Sequence, residues 1–191
     1  MAELSVECVV TGMIEENCYV VSVPGRDDCL VIDPGDDADR ILAAVGSRKI
    51  SAVLLTHGHF DHIGAAEALM DGDTPLMIHE DDAGMPADPI LNASWMTGSP
   101  RSYPSPTATF RGGDTLHIAG IDLRVIHTPG HTPGSSCFES GTALFTGDTV
   151  MTDCSGVGRT DLPGGSPAAM QDSLRRLQPM LPTHRVYGGH G

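Results

Sequence analysis

The sequence holds a single lysine, Lys49, and its 11 basic residues stand against 25 acidic ones, for a formal charge of −14. A surface of that sign repels polyanions, which excludes nucleic acid as an expected partner. Long apolar runs are missing as well. Stretches such as residues 30–32 and 52–55 fall far short of the roughly 20 apolar residues that cross a bilayer, so no membrane association is expected. The opening Met1-Ala2-Glu3-Leu4-Ser5 has neither a basic n-region nor an apolar h-region, which argues against export. No CxxC spacing occurs. The five cysteines (Cys8, Cys18, Cys29, Cys137 and Cys154) are an odd number, set mostly in apolar segments as small hydrophobes are. A reducing cytoplasm is the compartment these absences favour.

What is present suffices for one core. At 191 residues and 40% hydrophobic content, residues 1–191 are expected to form a single domain, and nothing in them marks an oligomeric state. The acidity has a second reading, because carboxylates that bind divalent cations are partly neutralised on binding. Two such ions would bring the formal charge to about −10.

Residues 4–10, 18–23 and 29–32 are Val-rich runs separated by Gly, Pro and acidic turns, which predicts a three-stranded meander. Residues 36–45 carry a helical apolar pattern closed by Gly46. A buried strand at 52–55 runs into a histidine-rich segment, a helix is expected over 63–70, and another strand over 75–78. The stretch 85–106, with five prolines, Trp95 and Tyr103, reads either as a surface excursion or as a substrate-facing loop. Strands follow at 115–118, 121–127, 136–139 and 143–145. A helix is predicted over 166–181, with Ser166 as N-cap and Pro167 in the first turn, and a last short strand over 186–187. Both halves therefore run from several strands into a helix.

The chemistry is carried by Thr56-His57-Gly58-His59-Phe60-Asp61-His62, which places four ligand-type side chains within six residues just after a strand. His57 and His59 can face one point while Asp61 and His62 reach a neighbouring one, so one loop can serve two metals. Gly58 permits backbone geometry that a larger residue resists. A catalytic zinc needs three ligands plus water, so partners are required. Three segments offer them: His131 in Thr128-Pro129-Gly130-His131-Thr132-Pro133-Gly134, Asp148 in Phe145-Thr146-Gly147-Asp148-Thr149, and His190 in Gly188-Gly189-His190-Gly191. Each follows a strand and is flanked by Gly or Pro, as in a rigid loop presenting one side chain. His127 lies inside a strand pattern and reads as a core or supporting histidine. His79, His117 and His184 have no clustered partners and read as structural.

The order HxHxDH, lone His, Gly-Asp and final Gly-His resembles the metallo-β-lactamase superfamily. Asn17-Cys18-Tyr19-Val20, Ile32-Asp33-Pro34-Gly35, the Thr128–Ser135 segment and Gly158-Arg159-Thr160-Asp161-Leu162-Pro163-Gly164-Gly165-Ser166 narrow the likeness to short glyoxalase II-like hydrolases. The resemblance spans nearly the whole chain and implies an α+β, four-layer αβ/βα sandwich with the site at one edge between the sheets. It further implies that His57, His59 and His131 hold one metal, that Asp61, His62 and His190 hold the second, and that Asp148 bridges them. Zinc is the first expectation, with iron or manganese open, because imidazole and carboxylate accept all three.

A hydroxide shared by two divalent ions is a usable nucleophile, since a metal lowers the pKa of bound water from roughly 16 to about 7. Asp61 would help orient it, and Asp33 reads as supporting or turn-forming. The expected reaction is hydrolysis of a small-molecule thioester, S-lactoylglutathione or a related small-thiol conjugate. By the resemblance, Arg159 lies where relatives contact the anionic thiol portion. A mononuclear-iron persulfide dioxygenase, using His57, His131 and Asp148, is the alternative, as is a lactonase or other ester hydrolase of the same superfamily. A metal-dependent sensor without turnover is the non-enzymatic reading. The helical C-terminal region of full-length glyoxalase II is absent, and the chain stops one residue after His190, where ends tend to fray. The expectation is either a truncated chain or a soft second metal site.

Overall fold

The computed structural model describes residues 3–152 and 156–191; Cys154 lies outside them. The meander is present as β1 (Ser5–Thr11), β2 (Glu16–Ser22) and β3 (Asp28–Ile32), paired antiparallel. Helix α1 (Ala38–Val45) ends at Gly46, whose N–H donates to the Leu42 carbonyl from a left-handed φ of 63° that suits glycine. Strands β4 (Lys49–Leu54), β5 (Leu76–His79) and β6 (Ala108–Phe110) then add in parallel, giving a six-stranded sheet in sequence order. The three-residue β6 was not anticipated by the pattern that ends at Pro106.

The second sheet comprises β7 (Thr115–Ile118), β8 (Ile121–His127), β9 (Ser136–Ser140), β10 (Ala143–Gly147) and β11 (Arg185–Gly188), in the order β11-β10-β9-β8-β7. Only β10 and β11 pair in parallel there. Two helices depart from expectation. The 63–70 helix shrinks to the single turn α2 (Ala66–Leu69), because Phe60–His62 form a 3₁₀ turn and Gly64 sits under the Gly35 carbonyl, where a Cβ would lie 2.2 Å from that oxygen. The last helix, α3 (Pro167–Leu177), stops four residues early. Pro179 has no N–H to continue the hydrogen-bond ladder, so the helix ends at Gln178, whose own backbone is still helical. Its N-cap is as predicted, with Ser166 Oγ accepting from Ala169 N–H.

The alternation of side chains along each strand decides the layers. On β2 and β3, Tyr19, Val21, Leu30 and Ile32 face Leu123, Val125, Phe138 and Phe145 of the other sheet. The intervening Cys18, Val20, Cys29 and Val31 face outward against Ile41 and Val45 of α1. On the far side, Cys137, Leu144 and Val186 pack under Leu177 of α3. The result is the four-layer αβ/βα sandwich, with both faces of each central strand buried, which is why these strands read as unbroken apolar runs. No helix among the described residues is long and apolar enough to cross a membrane.

This packing brings the loops after β4, β8, β10 and β11 to one edge. Gly35, just past β3, is pressed against the loop after β4 so closely that a Cβ there would lie 1.9 Å from the Asp61 carbonyl oxygen. Gly35→Ala should therefore displace the Asp61 turn and destabilise the protein by about 1–3 kcal/mol, as overpacking does. Thermal unfolding measures this, and an unchanged midpoint would show that the loop yields freely.

Candidate metal centre

The seven sequence-predicted ligand-type residues converge. Nε2 of His131 lies 2.8 Å from Nδ1 of His59 and 3.2 Å from Nε2 of His57. A second group forms around Asp61, whose Oδ2 lies 3.4 Å from His62 Nε2 and 3.3 Å from His190 Nε2. Asp148 stands between them, with Oδ2 3.4 Å from His131 Nε2 and Oδ1 3.4 Å from His62 Nε2. Within each of the trios His57/His59/His131, Asp61/His62/His190 and His57/His62/Asp148, the ligand atoms lie within 4.8 Å of one another.

The outward nitrogens decide which lone pairs point in. His57 Nδ1 sits 3.0 Å from Thr56 Oγ1, whose own hydroxyl donates to Asp33 at 2.6 Å, so the imidazole donates there. His131 Nδ1 donates to the Arg159 carbonyl at 2.7 Å, and His62 Nδ1 to Asp33 Oδ2 at 3.0 Å. The His57 and His131 rings are each left with a bare Nε2 directed at the centre, whereas His62 is held protonated against its burial by Asp61, Asp33 and Asp148, and a metal ion there would have to displace its Nε2 proton. Two inner atoms of the buried site are also orphaned: His62 Nε2 and Asp148 Oδ1 have no hydrogen-bond partner among the described residues, and neither has His59 Nε2, on the other nitrogen of a ring whose Nδ1 faces His131. Buried polar atoms without partners are uncommon, and cations among these nitrogens and carboxylates would satisfy the inward-facing lone pairs. The donor set therefore fits metal ions of the borderline type that accept imidazole and carboxylate.

Electrostatics agree. Burial, then the neighbouring histidines, hold His57 well below the ordinary imidazole range, and burial with His131 brings His59 down to about 3. Both are thus neutral, as ligands must be. Burial alone would raise the Asp148 carboxyl, but His62 outweighs it and brings it down to about 2; Asp61 is likewise held low by His62 and His190 against its burial. At neutral pH both carboxylates are anionic.

Three supports were not all legible beforehand. Asp33, at a left-handed φ of 51°, accepts from Thr56 N–H at 2.7 Å as well as from the Thr56 hydroxyl and His62, so it steadies two ligand-type rings from one carboxylate. Asp82 was missed. It is fully buried and accepts from Gly58 N–H, Thr132 Oγ1 and Gly134 N–H, tying the loop of His57 and His59 to that of His131. In the acidic run Glu80-Asp81-Asp82 no sequence signal separates it from its solvated neighbours. Glu16 is also buried, with Oε2 accepting from Thr11 and Oε1 3.7 Å from His62 Nδ1; burial pushes its carboxyl well up.

The fraying expected at His190 is corrected. Asn17 N–H donates to the Gly189 carbonyl, the Asn17 amide reaches the Gly188 and Gly191 carbonyls, Tyr19 Oη donates to Gly188 at 2.6 Å, and Gly189 N–H donates to Gly147. The last residues are thereby pinned across both sheets. His127 is half-buried and donates to the Pro133 carbonyl, propping the His131 loop, while its ring stacks on His79 at 4.1 Å. His117 and His184 hydrogen-bond to Asp122 and Glu139, as structural residues would.

A cavity of about 800 Å³ opens over the centre. Asp61, His131, Asp148 and His190 lie in its floor, and part of the 85–106 stretch forms one wall through Ala93, Met96, Arg101 and Tyr103, which favours the substrate-facing reading of that loop. Arg159 reaches this cavity, but its guanidinium is engaged by both oxygens of Asp161 at 2.7 Å. Arg101, not singled out beforehand, has no carboxylate within ion-pair distance among the described residues.

The sequence model of the metallo-β-lactamase superfamily matches residues 12–190. The chain belongs to the metallo-β-lactamase superfamily. Among superfamily relatives, it is 34% identical over 187 residues to the probable metallo-hydrolase YqgX of Bacillus subtilis, covering 94% of this chain and 87% of that one. It is 33% identical over 186 residues to a hydroxyacylglutathione hydrolase of Aeromonas hydrophila, covering 95% of this chain but 64% of the relative. Two solved superfamily structures are close in shape. The BLEG-1 B3 metallo-β-lactamase superposes with a TM-score of 0.88 at 31% identity, over 98% of this chain and 92% of its own. TTHA1623 in a di-iron-bound form does so with 0.84 at 36%, over 97% and 92%. Metal-dependent hydrolysis is the reaction class that accompanies this membership.

Because Asp33 holds His62 directly and His57 through the Thr56 hydroxyl, Asp33→Ala should weaken metal binding about 10–100-fold. Competition with a chromophoric chelator measures this. An affinity within about twofold of the parent would mean the rings keep their aim without it.

Proposed function

We propose that this protein is a two-metal thioester hydrolase acting on a small-thiol hydroxyacyl conjugate such as S-lactoylglutathione. The observation that carries the reading is the division of Asp148, one carboxylate oxygen toward His131 and the other toward His62, between two complete ligand trios. His57, His59 and His131 would hold one ion, Asp61, His62 and His190 the other, and Asp148 both. Zinc is the expected metal, and the di-iron relative shows that similar sites accept iron. When bound, the two ions lower the pKa of a water to about 7 and polarise the substrate carbonyl.

The chain's own residues supply the rest. Asp61 is anionic and can only accept, so it orients the attacking water rather than donating a proton. Two full trios favour hydrolysis over a mononuclear oxygenase, which would leave Asp61, His62 and His190 idle. The anionic end of the thiol portion would meet Arg101 first, because Arg159 is already neutralised by Asp161.

A panel of S-lactoylglutathione, coenzyme A and other thiol esters, together with a penicillin, tests this on protein of known metal content. Thioester turnover is expected. Arg101→Gln should raise KM for S-lactoylglutathione about tenfold with kcat little changed, equivalent to one ion contact, whereas Arg159→Gln should do less. No turnover of any thioester would overturn the substrate reading, and turnover of the penicillin alone would replace it.

A further inference from the structure

The mouth of the cavity is apolar to a degree that a lactoyl group does not require. Met13 and Ile14, on the turn between β1 and β2, are 95% and 51% exposed. Across the opening, Met96 is 46% exposed, and Trp95, Leu91 and Ile90 are exposed on the same loop. These six account for most of the large apolar side chains that the described residues leave in water, and Met13, Ile14 and Met96 line the cavity itself. Phe60, Met151 and Leu162 line the same cavity, together with Asp61 and Asp148. A surface carrying a charge of −14 has ample polar material to cover such positions, yet apolar side chains are gathered on two facing lips.

We propose that these lips hold an apolar chain or ring of several carbons on the substrate, lying between Met13–Ile14 and Met96, with the scissile carbonyl at the metal centre. A small-molecule chain is the favoured occupant because Met13, Ile14 and Met96 line the same cavity as Asp61, Asp148 and His190. At about 800 Å³, the cavity has the size of a small-molecule site. Methionine suits this use: it is unbranched and polarisable, so Met13 and Met96 can close on chains of differing shape. The substrate class becomes a thioester with a longer apolar acyl group than lactoyl. The inference rests on the thioesterase reading for the bond that is cleaved, and on the cavity alone for the chain.

Binding of non-hydrolysable S-methyl-, S-butyl- and S-hexylglutathione to the zinc-loaded protein, measured by calorimetry, separates the two. Affinity should rise about two- to fourfold per methylene, so that the S-hexyl compound binds at least about tenfold more tightly than the S-methyl one. The Met13→Ser/Met96→Ser variant should bind them nearly alike. Equal affinities in the parent protein would overturn the proposal, as would discrimination that survives in the variant. Sedimentation adds a third arm. A dimer that the variant dissolves, with no chain-length preference in the parent, would assign the lips to a second copy of the chain instead. If the preference holds while no thioester is cleaved, the chain site stands and the assigned reaction falls.

Discussion

Lone pairs of buried imidazoles repel when they share a small volume, and holding them there is what this structure depends on. Nε2 of His131 lies about as close to the nitrogens of His57 and His59 as a hydrogen bond would bring it, and the paired carboxylates of Asp61 and Asp148 stand alongside. Three of the rings stay because their far nitrogens are tied: His57 to Thr56, His131 to the Arg159 carbonyl and His62 to Asp33. Those ties in turn need two sheets packed face to face, since Asp33 follows β3, His57 follows β4 and His131 follows β8. The aromatic and branched side chains between the sheets hold those strand ends in position.

The centre was legible because its first four members fall within six residues, and because the distant three each follow a glycine at or just past a strand end. The layers were legible too, through continuous apolar runs on β2, β3 and β4. What the chain pattern could not disclose were roles created only by tertiary contact. Asp82 resembles its exposed neighbours until the Thr132 and Gly134 donors close on it. Arg101 gains significance only through the neutralisation of Arg159 by a residue two positions away.

Local pattern also misled in two places for identifiable reasons. Residues 63–70 carry helical spacing of apolar side chains, yet their first part is spent on placing His62 and on packing Gly64 against Gly35, which leaves one helical turn. His190 looked prone to fray because nothing local restrains it. Its restraint comes from Asn17 and Tyr19, more than 160 residues earlier, so the Asn-Cys-Tyr-Val segment acts as the anchor of the last ligand-type residue.

The central claim is that two ions share one carboxylate. Calorimetric titration of the metal-free protein with zinc, alongside elemental analysis, tests it most directly. Two ions per chain are predicted for the parent and one for His190→Ala. A parent that saturates at a single ion, with His190→Ala indistinguishable from it, would contradict the account.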